Sequence, residues 1–204
     1  MVADGGRVVL ASASPRRSDL LAQLGIAFAV VPADIDETEH DGEDPVSYVG
    51  RLAGEKAAAT ASMLGADALA AVVIAADTTV DVDGAILAKP SDAEDARRML
   101  GLLAGRSHAV HTGVAVRVDG RTEMTVVTTR VTMVDLDDAR LDWYVGTGEP
   151  FGKAGAYALQ GAGSALVERV EGSVSNVIGL PLTALDALLG RFGTSLVGLT
   201  GGEH

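Results

Sequence analysis

Ser12-Ala13-Ser14-Pro15-Arg16-Arg17 puts two arginines into what reads as the first turn of a helix, directly after a short strand. Ser14 stands at the N-cap and Pro15 at the first helical position. The amides of such a turn and the positive end of the helix dipole face outward together. Dipole complementarity favours Asp or Glu there, so two arginines suggest that an anion is expected. One reading is a cradle for a triphosphate. The plainer one is a helix start whose arginines pair with surface acids.

Asp77 is the second candidate. Nine apolar residues, Ala68 to Ala76, end abruptly in Asp77-Thr78-Thr79. In an α/β sheet, ligands bind at the carboxyl ends of buried strands. A carboxylate placed there can hold a divalent metal or act as a general base. It can also simply cap a turn. Lys56 falls on a helical stripe with Val49, Leu52, Ala53, Ala59 and Met63, so its ammonium must either snorkel to water or meet an anion. Lys89 adds a further positive charge just before Pro90. Glu37, in Asp34-Ile35-Asp36-Glu37, is a possible second metal ligand or part of a solvated acidic loop.

These residues need elements to hold them. The pattern predicts strands over 7–12, 28–31 and 69–76, and paired strands over 109–118 and 124–134. A further strand is expected over 165–170. Helices are expected from Pro15 to Leu24, from Pro45 to Leu64, from Pro90 onward with Ala96, Met99, Leu100 and Leu103 on one face, over 137–145, and over 181–192. Asp83-Gly84 marks a hairpin. Residues 146–163 read as a glycine-rich connector. Strands and helices interleave with hairpins, giving an α/β class with a mixed sheet.

Composition narrows the field. The chain has 204 residues, enough for one domain or one domain with two lobes. The net charge is −12, which opposes binding to DNA or anionic lipid through the overall field. Aromatic residues make up 3%, too few for a base-stacking platform, so Ala, Val and Leu must fill the core. The absence of cysteine excludes disulfides, thiolate metal sites and a cysteine nucleophile. The longest apolar run is too short for a bilayer, and Met1 to Gly6 lacks the features of a signal peptide. A cytoplasmic protein is expected, with no nucleic acid and no membrane among its partners.

Other motifs fail. His108 and His111 would face opposite sides of a strand and so would not pair on a metal. Gly152-Lys153 is no Walker loop, and Gly161-Ala162-Gly163 lacks the third glycine of a dinucleotide fingerprint.

Taken together, Leu10-Ala11-Ser12-Ala13-Ser14-Pro15-Arg16-Arg17, Ala76-Asp77-Thr78, Lys89-Pro90, His111-Thr112-Gly113, Lys153-Ala154-Gly155-Ala156-Tyr157, Gln160-Gly161 and Gly179-Leu180-Pro181 resemble the signature segments of the Maf family. They come in family order from about Val8 to Leu189. The resemblance implies one Maf-like domain over 1–204 with its core over about 7–192, and the tail from Gly193 reads as frayed. It implies an elongated, two-lobed, mixed twisted sheet flanked by helices, related to the inosine triphosphatases. It implies hydrolysis of a nucleoside triphosphate between the α- and β-phosphates with Mg²⁺ or Mn²⁺. Asp77 corresponds to the catalytic acidic residue. Ser12, Arg16, Arg17, Lys56 and Lys89 correspond to phosphate-binding residues, and Glu37, with Asp77, to a metal ligand. Tyr157 or Phe151 would flank the base or belong to the core.

The family resembles two branches, one acting on dTTP and UTP and one on 7-methylguanosine triphosphate. Arg16, Thr78 and Gln160 match the pyrimidine branch. A glutamine amide donates and accepts at once, as the O4 and N3–H edge of uracil or thymine requires. House-cleaning of nucleotide pools is the implied role, with a homodimer implied by resemblance alone. Two alternatives stand beside it. One is a nucleotide-sensing regulator, given the family's association with septum formation and cell division. The other is a pyrophosphatase for modified nucleotides.

Overall fold

A computed structural model describes residues 7–200. The leader reading at Met1 to Gly6 and the last four residues of the expected frayed tail lie outside them. In chain order the elements are β1 (Arg7–Leu10), α1 (Pro15–Gln23), β2 (Phe28–Val30), α2 (Pro45–Leu64), β3 (Ala71–Val82), β4 (Ala85–Leu87), α3 (Ala93–Leu103), β5 (Ser107–Val118), β6 (Arg121–Met133), α4 (Asp138–Gly146), β7 (Val167–Glu171), α5 (Val174–Ile178) and α6 (Leu182–Gly190). The sheet order is β2-β1-β3-β5-β6-β7, with β4 paired to β3. β1 runs parallel to β2 and β3, whereas β3–β4 and β6–β7 are antiparallel. The expected α/β class with a mixed sheet is therefore what the chain forms. Among the described residues, no helix is long and apolar enough to cross a membrane.

The chain divides into two compact units. The first comprises the described residues up to Asp77, together with Thr112–Val127 and the residues from Gly179. Its long helix α2 begins where the sequence says it should. Pro45 supplies a preset φ, and the Asp44 carboxylate accepts the Val46 and Ser47 amides at 3.0 and 3.1 Å. Gly65 ends the helix at φ 59°. One face of α2 packs on alternate residues of three strands: Ala53 and Ala57 meet Val9, Ala11, Ala71, Val73, Ala75 and Ala115. Small side chains dominate because helix and sheet approach closely. A Cβ on Gly113 would lie 2.1 Å from the Val49 carbonyl oxygen, so only glycine fits in His111-Thr112-Gly113.

The second unit comprises Thr78–His111 and Thr128–Ile178. Its core joins Val80 and Val82, Leu87, the expected α3 face of Ala96, Met99, Leu100 and Leu103, then Val110, Val131, Met133, Leu141, Tyr144, Tyr157 and Leu166. Tyr157 is therefore a core residue, while Phe151 is exposed. His108 and His111, on β5, bond different partners. His108 Nε2 lies 2.8 Å from the Tyr157 hydroxyl, and His111 Nδ1 lies 2.8 Å from the Thr128 hydroxyl.

Burial pushes the His108 imidazole down to about 4. An unfolded histidine titrates near ~6.5. As pH falls between these values, the unfolded chain gains a proton that the folded chain refuses, so stability is lost on the way down and is fully present above the upper value. Between pH 7.5 and 4.5 this group should remove roughly 2–3 kcal/mol. Urea unfolding at both pH values should show His108→Gln losing that much less than the parent. An equal pH dependence in both proteins would contradict the assignment.

Candidate active site

The site residues of the first unit are set by the parity of β3. Ala71, Val73 and Ala75 face α2, and side chains alternate along a strand, so Asp77 faces α2 as well. The strand does not stop at Asp77, as its polar neighbours suggested; it runs on to Val82. What ends is its parallel neighbour: Leu10 of β1 pairs with Ile74, and the Ala11 amide still reaches the Ile74 carbonyl at 2.8 Å. Asp77 thus lies past the carboxyl end of β1, where the chain turns away into α1.

Lys56 answers Asp77 from the helix. The buried stripe of α2 is Val49, Leu52, Ala53, Lys56, Ala57, Thr60 and Ala61, with Met63 64% exposed rather than part of it. The Lys56 ammonium neither snorkels nor stands alone. It lies 2.6 Å from Asp77 Oδ1 and 2.6 Å from Glu37 Oε1. One buried cation therefore gathers two carboxylates that lie far apart in the chain.

Glu37 is held by groups that the sequence reading missed. The Tyr48 hydroxyl donates to the Glu37 carbonyl at 2.9 Å. Arg51 donates to the Thr38 carbonyl at 3.1 Å and pairs with Glu43 at 2.6 Å. Both side chains leave the first turns of α2 and pin the acidic stretch before it. A tyrosine and an arginine three residues apart, facing a run of acids, are the signal that could have found them. Burial, reinforced by the charges of Asp77 and Glu37, pushes the Tyr48 phenol up to about 12, so it stays a donor.

At the start of α1, the Ser14 side chain makes no capping bond. Ser12 does the local work: its hydroxyl accepts the Ser14 amide at 3.2 Å and Arg17 Nη1 at 2.8 Å. Arg17 is buried, and its Nε donates to the Gly179 carbonyl at 2.7 Å. Burial lowers the pKa of its guanidinium, which Asp77 and Glu37 raise in part and the neighbouring Arg16 lowers. Arg16 is half-buried and shifted down by burial too. Ser12, Arg16, Arg17, Glu37, Lys56 and Asp77 therefore form one electrostatically linked group within the first unit. Thr78, Lys89 and Gln160 belong to the second unit: Thr78 on β3, Lys89 exposed after β4, and Gln160 exposed before the 3-10 turn Gly161–Leu166.

No group of three or more His, Asp or Glu side chains suited to a metal occurs among the described residues. Glu37 and Asp77 nevertheless offer two hard oxygen donors that converge on one cation, the Lys56 ammonium. Such a pair fits Mg²⁺ or Mn²⁺, ions that commonly take one or two carboxylates and complete their shell with water and phosphate oxygens.

The sequence pattern of the Maf-like proteins matches residues 7–192, nearly the whole described chain. The chain belongs to the Maf family. Its relatives include a dTTP/UTP pyrophosphatase of Myxococcus xanthus (strain DK1622), 56% identical over 197 residues that cover 96% of this chain and 97% of that protein. A second, from Anaeromyxobacter dehalogenans (strain 2CP-C), carries the same name and is 55% identical over 93% of this chain and 96% of its own length. A third, from Methylobacillus flagellatus, again so named, is 48% identical over 94% and 96%. Within this Maf protein, the first unit gathers six of the residues expected from the sequence: Ser12, Arg16, Arg17, Glu37, Lys56 and Asp77.

Proposed function

We propose that this chain is a nucleoside triphosphate pyrophosphatase that hydrolyses dTTP and UTP to the nucleoside monophosphate and pyrophosphate. The observation that carries the chemistry is the Glu37–Lys56–Asp77 arrangement beside the Ser12–Arg17 helix start. The names of the relatives support the substrate class. Ser12, Arg16, Arg17 and Lys56 offset the negative charge of the triphosphate that would otherwise repel a water nucleophile, and Lys89 adds to them by family resemblance. Asp77 orients the attacking water and accepts its proton, an effect worth roughly 10²–10⁴-fold in rate. Glu37 and Asp77 would hold a divalent cation, which would supply positive charge against the pyrophosphate leaving group. Lys56, holding both carboxylates, keeps them aligned and partly neutralised between turnovers.

Arg16, Thr78 and Gln160 set the base preference, with Gln160 reading the O4 and N3–H edge. A wrong base leaves these polar groups unpaired, which makes such readout selective. We place the enzyme in the cytoplasm, where it would clear nucleotide pools. The test is a kcat/KM series over dTTP, UTP, CTP, GTP, ATP and 7-methyl-GTP. The two uracil-edge substrates should lead. ATP or 7-methyl-GTP leading by tenfold or more would overturn the base assignment.

A further inference from the structure

Gln160 sits between two anchors that share one pair of side chains. Tyr144 of α4 is fully buried, and its hydroxyl accepts the Ala158 amide at 3.1 Å while donating to Glu149 Oε1 at 3.0 Å. Glu149 then accepts the Gly163 amide on Oε1 at 2.8 Å and the Ala162 amide on Oε2 at 2.9 Å. The main chain is thus tied two residues before Gln160 and two and three residues after it. Glu149 is itself fixed: its amide donates to the Thr147 hydroxyl at 3.1 Å, and its carbonyl accepts the Lys153 ammonium.

The glycines around Gln160 follow from this clamp. A Cβ on Gly161, at φ +73°, would lie 2.4 Å from Glu149 Oε2. A Cβ on Gly163 would lie 2.2 Å from the Ala158 carbonyl oxygen and 2.7 Å from the Tyr144 hydroxyl. Gly161-Ala162-Gly163, which fits no nucleotide fingerprint, is the sequence that lets a carboxylate approach these amides. Burial works against the Glu149 charge, but the Gly163 and Ala162 amides and the Tyr144 hydroxyl outweigh it and hold the carboxyl below its usual range. The result is an exposed glutamine side chain on a main chain held by hydrogen bonds on both sides. That is what base reading by one amide requires, because discrimination depends on donor and acceptor being fixed before the base arrives.

We propose that Glu149 and Tyr144 are positioning residues for base selection, fixing the main chain on both sides of Gln160 so that its amide meets the pyrimidine edge in one orientation. The proposal rests on the reading of Gln160 given above. In Glu149→Gln an amide NH₂ replaces one carboxylate oxygen and faces a backbone N–H, so one anchor is lost with little change in volume. Tyr144→Phe keeps the ring and removes the hydroxyl that joins the anchors; it carries the test should Glu149→Gln not fold.

The readout is the ratio of kcat/KM for dTTP to that for CTP, whose edge differs at the very groups being read. Each substitution should lower the ratio by roughly tenfold, since small misplacements of a reading group are costly. In a Gln160→Ala background, neither should change it by more than about twofold, because the group being positioned is gone. If Gln160→Ala lowers the ratio but Glu149→Gln and Tyr144→Phe leave it at the parental value, the clamp merely holds a turn and the proposal fails alone. If the parent does not prefer dTTP, or Gln160→Ala leaves the ratio unchanged, the base-reading role fails and takes the proposal with it.

Discussion

Asp77→Asn is expected to leave a folded protein that binds nucleotide and turns it over roughly 10²–10⁴-fold more slowly than the parent. The change is nearly isosteric and keeps an oxygen for the Lys56 ammonium, which lies 2.6 Å from Oδ1 in the parent. What it removes is the negative charge that accepts a proton from water and binds a cation. Circular dichroism and unfolding should show the fold intact, and steady-state kinetics with excess Mg²⁺ should show the loss in kcat. Turnover within a few-fold of the parent would take Asp77 out of the mechanism.

Lys56→Met is expected to act on both stability and turnover. The methionine fills the space of the lysine stem on the buried face of α2, but Asp77, with 13% of its side chain exposed, loses its cation. Breaking a buried ion pair on one side costs up to about 3–5 kcal/mol. About 2–3 kcal/mol is expected here, because Glu37, at 46% exposure, can turn into water. Without the ammonium the two carboxylates also lose their alignment, and kcat should fall by roughly 10²-fold. Urea unfolding and kinetics on the same preparation separate the two effects. A variant as stable and as fast as the parent would show the ion triad to be incidental.

Much of this was legible because local rules agreed. α2 has the bounds that Asp44-Pro45 and Gly65 announce, the α3 face is buried as its spacing requires, and Asp83-Gly84 turns with φ of 56° and 83°. Where local and long-range signals competed, the reading slipped. Leu69 belongs to a 3-10 turn and is 63% exposed, while β3 continues through Asp77-Thr78-Thr79, where polar residues suggested an end. A strand's length depends on which neighbours it pairs with, and that is not written in its own residues. The five-residue α5 was missed for want of enough turns to show a period.

The site shows the same division. Asp77, Lys56 and the Ser12–Arg17 segment stand out because each is a charge or a cap placed where its surroundings disfavour it. That Lys56 meets two carboxylates rather than water depends on a strand and a loop far along the chain. Glu149, whose partners are as much as 14 residues away, gave no local sign of its role. Tyr48 and Arg51 carry no local mark of their role, which depends on the acidic stretch folding against them.

The bond expected to break is the one between the α- and β-phosphates. Incubating the protein with dTTP and Mg²⁺, with no auxiliary pyrophosphatase present, and resolving all products by anion-exchange chromatography tests it directly. Equal amounts of dTMP and pyrophosphate, with no inorganic phosphate, are predicted; dTDP with inorganic phosphate, or intact dTTP, would contradict it.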